Sequence, residues 1–201
     1  LIIINLAQAG PVFQWNGKMK RLITALILIL TSGLNSVQAG VVVGGTRIIY
    51  PANQSEVQIA LKNKDNDKRY LVQSWVSNID DSKAPFIMTP PIYKLDENRQ
   101  TLLHVVYTGN KSALPQDRES LFMANIKSVA AIPEELHDKN TLQFAIKTKL
   151  KLFYRPASLT EDEAKMAWQS LQFSRHQNQL VVKNPTPFYV TFGQIDRKST
   201  R

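Results

Sequence analysis

The stretch Lys147–Pro156 reads KTKLKLFYRP, and it decides the predicted fold. Alternation of charged and apolar residues is typical of a β-strand that has one face on a core and the other in solvent. Four cations share one parity: Lys147, Lys149, Lys151 and Arg155. The other parity carries Thr148, Leu150, Leu152 and Tyr154. The pattern therefore predicts a strand with an apolar face opposite a line of positive charge.

The same period of two recurs along the chain and predicts an all-β protein. Further strands are predicted at residues 57–62, 70–77, 101–108 and 121–129, and the opening stretch extends to a strand at 142–154. Trp75 is predicted to anchor the core. Pro90 and Pro91 exclude a central strand and indicate an edge or a fixed turn, where a cis bond is compatible. Short strands separated by turn signals are typical of an antiparallel β-sandwich.

After Lys147–Pro156, the strand pattern is interrupted by a predicted helix. Thr160 and Glu163 have the spacing of a capping box, which predicts a short helix. We place a complete first sandwich at residues 40–156, a linker at 157–165 and a second β domain at 166–201. In that second domain, strands are predicted at residues 180–183 and 188–194. The polar tail after Ile195 has no strand pattern, so the second sandwich is predicted to be incomplete.

The first 39 residues are interpreted as a targeting segment with upstream residues, and not as part of the fold. Residues 19–39 combine a basic start, an apolar run at Leu22–Leu30 and the ending Val37, Gln38, Ala39, which is the pattern of a secretory signal peptide. Cleavage after Ala39 leaves Gly40 as the mature N-terminus in an extracytoplasmic space. The apolar run is shorter than a membrane span. Residues 1–18 are interpreted as spurious leader upstream of the real start.

Composition and motifs disfavour several classes of function. The 201 residues carry a net charge of +9, but the basic residues are scattered without interleaved aromatics, so nucleic acid is not a predicted partner. The glycine-rich and serine motifs of common enzymes are absent from the sequence, and no enzymatic activity is predicted. The sequence has three widely separated histidines and no cysteine, so neither a metal site nor a cofactor is predicted.

Four segments carry a family resemblance. They are TRIIYP at Thr46–Pro51, LPQDRESLFMANIKSVAAIP at Leu114–Pro133, KLFYRP at Lys151–Pro156 and NPTPFYVT at Asn184–Thr191. Together they resemble the periplasmic pilus chaperones, the PapD-like family of immunoglobulin-type proteins. The resemblance implies two immunoglobulin-like sandwiches, a periplasmic location, capping of fimbrial subunits for pilus assembly, and an outer-membrane usher that meets the chaperone–subunit complex. The short segment PEELHDKN resembles the short-loop subclass, which builds rod-like pili.

The resemblance also implies roles for two pairs of charged residues. Arg47 and Lys151 match the cations that hold the C-terminal carboxylate of a subunit, where Arg offers a bidentate fork and Lys a point charge. Glu119 and Arg155 resemble the internal salt bridge that sets the angle between the domains. Without the resemblance, exposed cations of this kind are most often solvated surface residues.

Three apolar residues of one parity match the strand donors of the family: Leu142, Phe144 and Ile146. The resemblance implies that they fill the groove of an incomplete subunit by strand addition. By alternation alone, they would be assigned to the core of this chain. Two other classes stay open, a secreted pilus subunit or adhesin and, more distantly, a basic nucleic-acid binder. Subunits generally have an N-terminal donor extension and often a cysteine pair, and neither is visible in the sequence.

Overall fold

The computed structural model describes residues 40–136, 138–177 and 179–193. The predicted leader and signal peptide, and the tail from residue 194, lie outside the described residues. The strands are β1 (Val41–Val43), β2 (Arg47–Pro51), β3 (Val57–Asn63), β4 (Tyr70–Ser77), β5 (Phe86–Thr89), β6 (Ile92–Leu95), β7 (Gln100–Tyr107), β8 (Ser120–Ala130), β9 (Ala145–Arg155), β10 (Gln172–His176) and β11 (Gln179–Lys183). The α-helix α1 spans Glu161–Met166, and 3₁₀ turns lie at Lys111–Ala113, Glu134–Leu136 and Ala167–Ser170.

Nine of the strands form the predicted β-sandwich. One sheet has the order β1-β3-β7-β5, and the facing sheet has the order β2-β9-β8-β4-β6. Neighbouring strands are antiparallel except β2 and β9, which run parallel. Leu61 and Leu103 from the first sheet and Val72 and Leu152 from the second are almost completely buried. The alternation seen in the sequence therefore does mark the core face. The opposite face of β9 is exposed as far as Lys151, whereas Phe153 and the Arg155 side chain on that face are covered.

Aromatic residues join β2, β7 and β9 at one end of this core. The rings of Tyr50 and Tyr154 stack with centroids 5.9 Å apart, and Tyr107 lies 5.1 Å from Tyr154. Phe86 meets Tyr50 edge to face at 5.5 Å. Such pairs each contribute about 0.5–1.5 kcal/mol beyond the burial of their area. They hold β2 against β9, which fixes the relative positions of the side chains on the outer face of these strands.

The chain crosses from one sheet to the other between β1 and β2. Gly44 donates its N–H to the carbonyl of Ala60 at 2.7 Å, and a Cβ atom at Gly44 would lie only 3.2 Å from that carbonyl oxygen. Gly45 has a φ of +90°, which glycine adopts without a steric penalty. The crossover places β2, and with it Arg47, at the edge of the second sheet.

The proline pair separates two edge strands, as predicted. β5 is an edge of the first sheet and β6 is an edge of the second, and the Thr89–Pro90 peptide between them is cis. Ser74 secures the turn because its N–H and hydroxyl donate to the carbonyls of Pro91 and Pro90.

The prediction of a core role for Trp75 is wrong. Its neighbours Ser74 and Val76 are buried, so Trp75 lies on the outer face of β4, half-buried. Lys147 Nζ lies 4.9 Å from the centre of its ring. Alternate residues of β4 face the core, and Trp75 belongs to the other set in spite of its size.

Two strand predictions are also corrected. The last strand of the sandwich begins at Ala145 and not at residue 142. Residues 188–193 form no strand. Asn184 holds a turn at their start: its Nδ2 donates to the carbonyl of Phe188 at 2.7 Å, and its Oδ1 accepts from Thr186 N at 3.0 Å. The strand prediction at 180–183 agrees with β11, which pairs with β10, a strand whose bounds the sequence pattern did not predict.

The predicted helix is present with its capping box. Glu163 N donates to Thr160 Oγ1 at 3.3 Å, and Thr160 N donates to Glu163 Oε2 at 2.9 Å. The second bond lowers the pKa of the Glu163 carboxyl. None of the described helices is both long and apolar enough to cross a membrane.

Candidate functional site

Two cations meet where β2 begins to pair with β9. Arg47 is the register partner of Lys151, and neighbouring strands lie about 4.8 Å apart. Both side chains are exposed on the outer face of the sheet, because the residues that follow them, Ile48 and Leu152, are buried. Among the described residues, neither cation has an acidic partner. Lys151 Nζ is 3.5 Å from Thr191 Oγ1. Two adjacent positive charges without a counter-charge favour an anion.

The other two lysines of the opening stretch are already engaged within the chain. Lys149 Nζ lies 2.7 Å from Asp81 Oδ1, and its hydrogen bond lowers the pKa of the Asp81 carboxyl. Lys147 covers the ring of Trp75. The line of positive charge seen in the sequence is therefore divided: Lys147 and Lys149 have partners within the chain, whereas Lys151 faces Arg47. No spacing in the sequence indicated that Asp81, in a distant turn, reaches Lys149.

A groove of about 550 Å³ opens beside Arg47. Ile49 and Pro51 continue its wall along β2, while Leu159 and Ala164 line it from the linker and α1. The groove leaves the outer side of Arg47 open.

One edge of β9 is unpaired over half of the strand. β8 pairs with β9 from Ala145 to Tyr154, whereas β2 pairs with it only from Lys151 to Arg155. Within the described part of the chain, no strand covers the second edge of Ala145–Leu150. Such an edge presents backbone N–H and C=O groups that can bind an added strand.

Exposed apolar side chains lie at the far end of this edge. Leu142 is 81% exposed, Phe144 71% and Ile146 58%. They share the parity of Leu150 and Leu152, which face the core. Ile146 therefore continues the core-facing row of β9 into solvent, and Leu142 and Phe144 are exposed in the segment just before the strand. The assignment of these three residues to the core of the chain does not describe the structure.

Glu119 and Arg155 form a buried ion pair. Arg155 Nε lies 2.8 Å from Glu119 Oε1, and the Arg155 and Glu119 side chains are 11% and 2% exposed, respectively. The other carboxylate oxygen of Glu119 accepts from Tyr189 N at 2.9 Å, and Glu119 N donates to the carbonyl of Pro187 at 3.0 Å. Arg155 also lies over the ring of Phe188. The pair thus attaches residues 187–189 to the first sandwich.

We expect Glu119→Ala to release this attachment. It leaves the Arg155 charge without a partner in a nearly buried position, which typically costs about 3–5 kcal/mol, and it removes the acceptor of Tyr189 N. Chymotrypsin should then cleave after Phe188 and Tyr189 faster than in the unmodified protein, as followed by mass spectrometry. Glu161→Ala is the matched control, since Glu161 pairs with Lys165 in solvent. Equal cleavage of both variants would show that the ion pair does not hold the segment.

The described residues contain no group of three or more histidine, aspartate or glutamate side chains arranged to hold a metal ion. The site lies on an immunoglobulin-like sandwich that presents a cation pair, a free strand edge and an exposed apolar row where β9 begins.

Family comparison agrees with this class of protein. The sequence model described as "Pili and flagellar-assembly chaperone, PapD N-terminal domain" matches residues 40–160. The model described as "Pili assembly chaperone PapD, C-terminal domain" matches residues 166–201. The chain therefore belongs to the PapD-like family of pilus-assembly chaperones.

Relatives with names and solved structures support the assignment. Chaperone protein LpfB of Salmonella typhimurium is 42% identical over 174 residues, which is 86% of this chain and 73% of that protein. Chaperone protein FimC of Escherichia coli K12 is 42% identical over 160 residues, which is 79% of this chain and 66% of that protein. The periplasmic chaperone SfaE has a TM-score of 0.64 at 38% identity, covering 75% of this chain and 73% of that one. A chain in the structure of Salmonella enterica SafA pilin in complex with the SafB chaperone has a TM-score of 0.65 at 36% identity. The match covers 75% of the present chain and 70% of that one.

Proposed function

We propose that this protein is a periplasmic chaperone that binds fimbrial subunits and caps them for pilus assembly, and that it is not an enzyme. The free edge of β9 carries the proposal, because it runs from the exposed row Leu142, Phe144 and Ile146 to the Arg47–Lys151 pair. The related SafB chaperone supports it, since that protein forms a complex with the pilin SafA.

The bound segment is the last strand of a subunit. If its C-terminal carboxylate lies at Arg47 and Lys151 and its backbone follows Ala145–Leu150, the strand runs in the direction of β9. It is then parallel to β9, as β2 is, and takes the place that β2 leaves open. Six residues of strand span about 20 Å, so backbone hydrogen bonds along this edge give affinity, and the carboxylate fixes the register.

The cation pair supplies the anchor. A guanidinium binds a carboxylate with two parallel hydrogen bonds, and an ammonium adds a point charge. Hydrogen bonds to charged groups contribute roughly 1.5–3 kcal/mol each. Since neither cation has an acidic partner in the described residues, no existing ion pair has to break first.

The exposed row supplies the donor side chains. Leu142, Phe144 and Ile146 would enter the groove that an incomplete immunoglobulin fold leaves open, and each full burial contributes roughly 1.5–3 kcal/mol. The subunit thereby gains the strand that it lacks, and the chaperone covers an apolar surface of its own.

The remaining assignments follow the same function. Residues 19–39 direct export and are removed after Ala39, residues 40–156 form the subunit-binding domain, 157–165 the linker, and 166–201 belong to the second domain. The Glu119–Arg155 pair fixes the angle between the domains. The complex then meets an outer-membrane usher, and the short β8–β9 link assigns the protein to the short-loop subclass.

Co-purification tests this function against the alternative of a pilus subunit. The chain is expressed with its leader, a C-terminal affinity tag and a fimbrial subunit, and is then purified from the periplasm. A chaperone brings down a subunit in a one-to-one complex. Recovery of the chain in detergent-resistant polymers would instead identify it as a subunit, and recovery of the chain alone would contradict the proposal.

A further inference from the structure

A nearly buried carboxylate receives the backbone nitrogen of Gly40. Asp65, in the turn between β3 and β4, is 8% exposed, and its Oδ2 accepts from Gly40 N at 3.1 Å. The same oxygen accepts from the hydroxyl of Tyr70. Burial raises the pKa of Tyr70 to about 12, so this hydroxyl stays a neutral donor at physiological pH.

Asp65 lacks a counter-charge among the described residues. It takes part in none of their ion pairs. A carboxylate removed from water is costly unless a positive charge or several donors compensate for it. The carboxylate that the fold builds here is therefore suited to a cation.

The surroundings hold this carboxylate in place from several sides. Asn63 Oδ1 accepts from Asp65 N at 3.0 Å, and Asn63 Nδ2 donates to the carbonyls of Lys68 and Asp96 at 2.7 and 3.0 Å. Lys64 N donates to the carbonyl of Gly40 at 3.2 Å. The position of Gly40 beside Asp65 is thus fixed by its carbonyl as well as by its nitrogen.

Gly40 is also the residue that follows the signal-peptide pattern ending in Ala39. We propose that Asp65 is the binding site for the α-ammonium group of the mature N-terminus, which forms when the leader is removed after Ala39. Hydrolysis of the Ala39–Gly40 peptide adds water, leaves a carboxylate on Ala39 and turns the amide nitrogen of Gly40 into an ammonium. The nitrogen stays where it is and gains the positive charge that Asp65 lacks. The inference depends on the proposed export and cleavage, but not on subunit capture.

The ion pair has a consequence for the binding site. Val41–Val43 follow Gly40 directly as β1, and the chain then crosses at Gly44 and Gly45 into β2. Arg47 is the first residue of β2. An anchored N-terminus therefore secures the strand that leads to Arg47, and a chain that still carries its leader has only a neutral amide at this position.

Two forms of the chain test the proposal directly. One starts at Gly40, and the other retains its own residues 36–39; both are released from a fusion partner by a protease that leaves no extra residue. The chain has no cysteine, so both can be made in the cytoplasm. In urea unfolding, we expect a folded-to-unfolded ratio about tenfold higher for the Gly40 form, equivalent to about 1.4 kcal/mol. Equal stability of the two forms would overturn the proposal.

Introducing Asp65→Asn into both N-terminal forms gives a double-mutant cycle. The amide keeps the shape of the side chain but removes its charge, so the two N-terminal forms should become equally stable. A difference that persists in Asp65→Asn would assign the effect to the extra residues and overturn the proposal.

A second measurement serves if Asp65→Asn does not fold. Acylation of the Gly40 amine by a neutral-pH reagent, read at peptide level by mass spectrometry, should be at least about tenfold slower in the folded Gly40 form than in urea, because a paired ammonium is a poor nucleophile. Equal rates in the folded and unfolded protein would contradict an ion pair with Asp65.

Discussion

Lys151→Ala is expected to reduce the capture of fimbrial subunits by roughly tenfold to more than a hundredfold and to leave the sandwich folded. The range corresponds to a charge-assisted hydrogen bond worth roughly 1.5–3 kcal/mol, at about 1.4 kcal/mol per factor of ten. The fold should persist because Lys151 is exposed and has no acidic partner in the described residues. Arg47→Ala should have an effect of similar size, since we propose that its guanidinium binds the same carboxylate.

Lys127→Ala is the matched control for this result. Lys127 is also an exposed lysine on the second sheet, but it lies opposite Lys147 and away from Arg47. The Lys127→Ala substitution removes the same charge from the protein and leaves Arg47 and Lys151 unchanged. Capture is measured as the ratio of subunit to tagged chaperone recovered from the periplasm. If Lys151→Ala and Lys127→Ala capture equally well, general electrostatic attraction and not a local anchor explains the role of the cations.

Phe144→Glu is expected to cause the second large loss of capture. The side chain is 71% exposed in the free protein, so the substitution should not change the unfolding temperature measurably. In the complex it removes an apolar contact worth roughly 1.5–3 kcal/mol and places a carboxylate in an apolar groove, which adds a desolvation cost.

Ile87→Glu provides the comparison, because Ile87 is an exposed apolar residue on β5, in the other sheet. It introduces the same charge without touching the proposed donor row. Thermal unfolding and subunit recovery are measured on both variants. Loss of the folded sandwich in Phe144→Glu would assign Phe144 to the core after all, and full capture by a folded Phe144→Glu protein would remove it from the donor row.

The sequence predicted those parts of the fold that depend on local pattern. Alternation in Lys147–Pro156 indicated the core face of β9 but not the burial of Phe153 and Arg155 on the opposite face, and the Thr160–Glu163 capping box indicated the start of α1. Pro90 and Pro91 indicated strand edges because proline has no N–H for a ladder. Trp75 was placed on the wrong face because strand alternation, and not residue size, decides which side chains are buried.

The site depends on contacts between distant segments, and alternation carries no information about these. Register between β2 and β9 places Arg47 beside Lys151, and only the family resemblance predicted this pairing. Lys149 forms an ion pair with Asp81, which lies in a distant turn, and is therefore not available to bind an anion. Phe144 lies just before β9 and is exposed, and a periodic apolar row looks the same in the sequence whether it lies in the core or beyond it.

The binding of two forms of one peptide tests the central claim, that Arg47 and Lys151 hold the carboxylate of a strand added to β9. The peptide reproduces the last strand of a fimbrial subunit, with either a free carboxylate or a C-terminal amide, and its affinity for the chain is measured by titration. We expect at least about tenfold weaker binding of the amidated peptide, and no difference between the two peptides for a protein that carries both Arg47→Ala and Lys151→Ala. Equal binding of both peptides to the unmodified protein would contradict the claim.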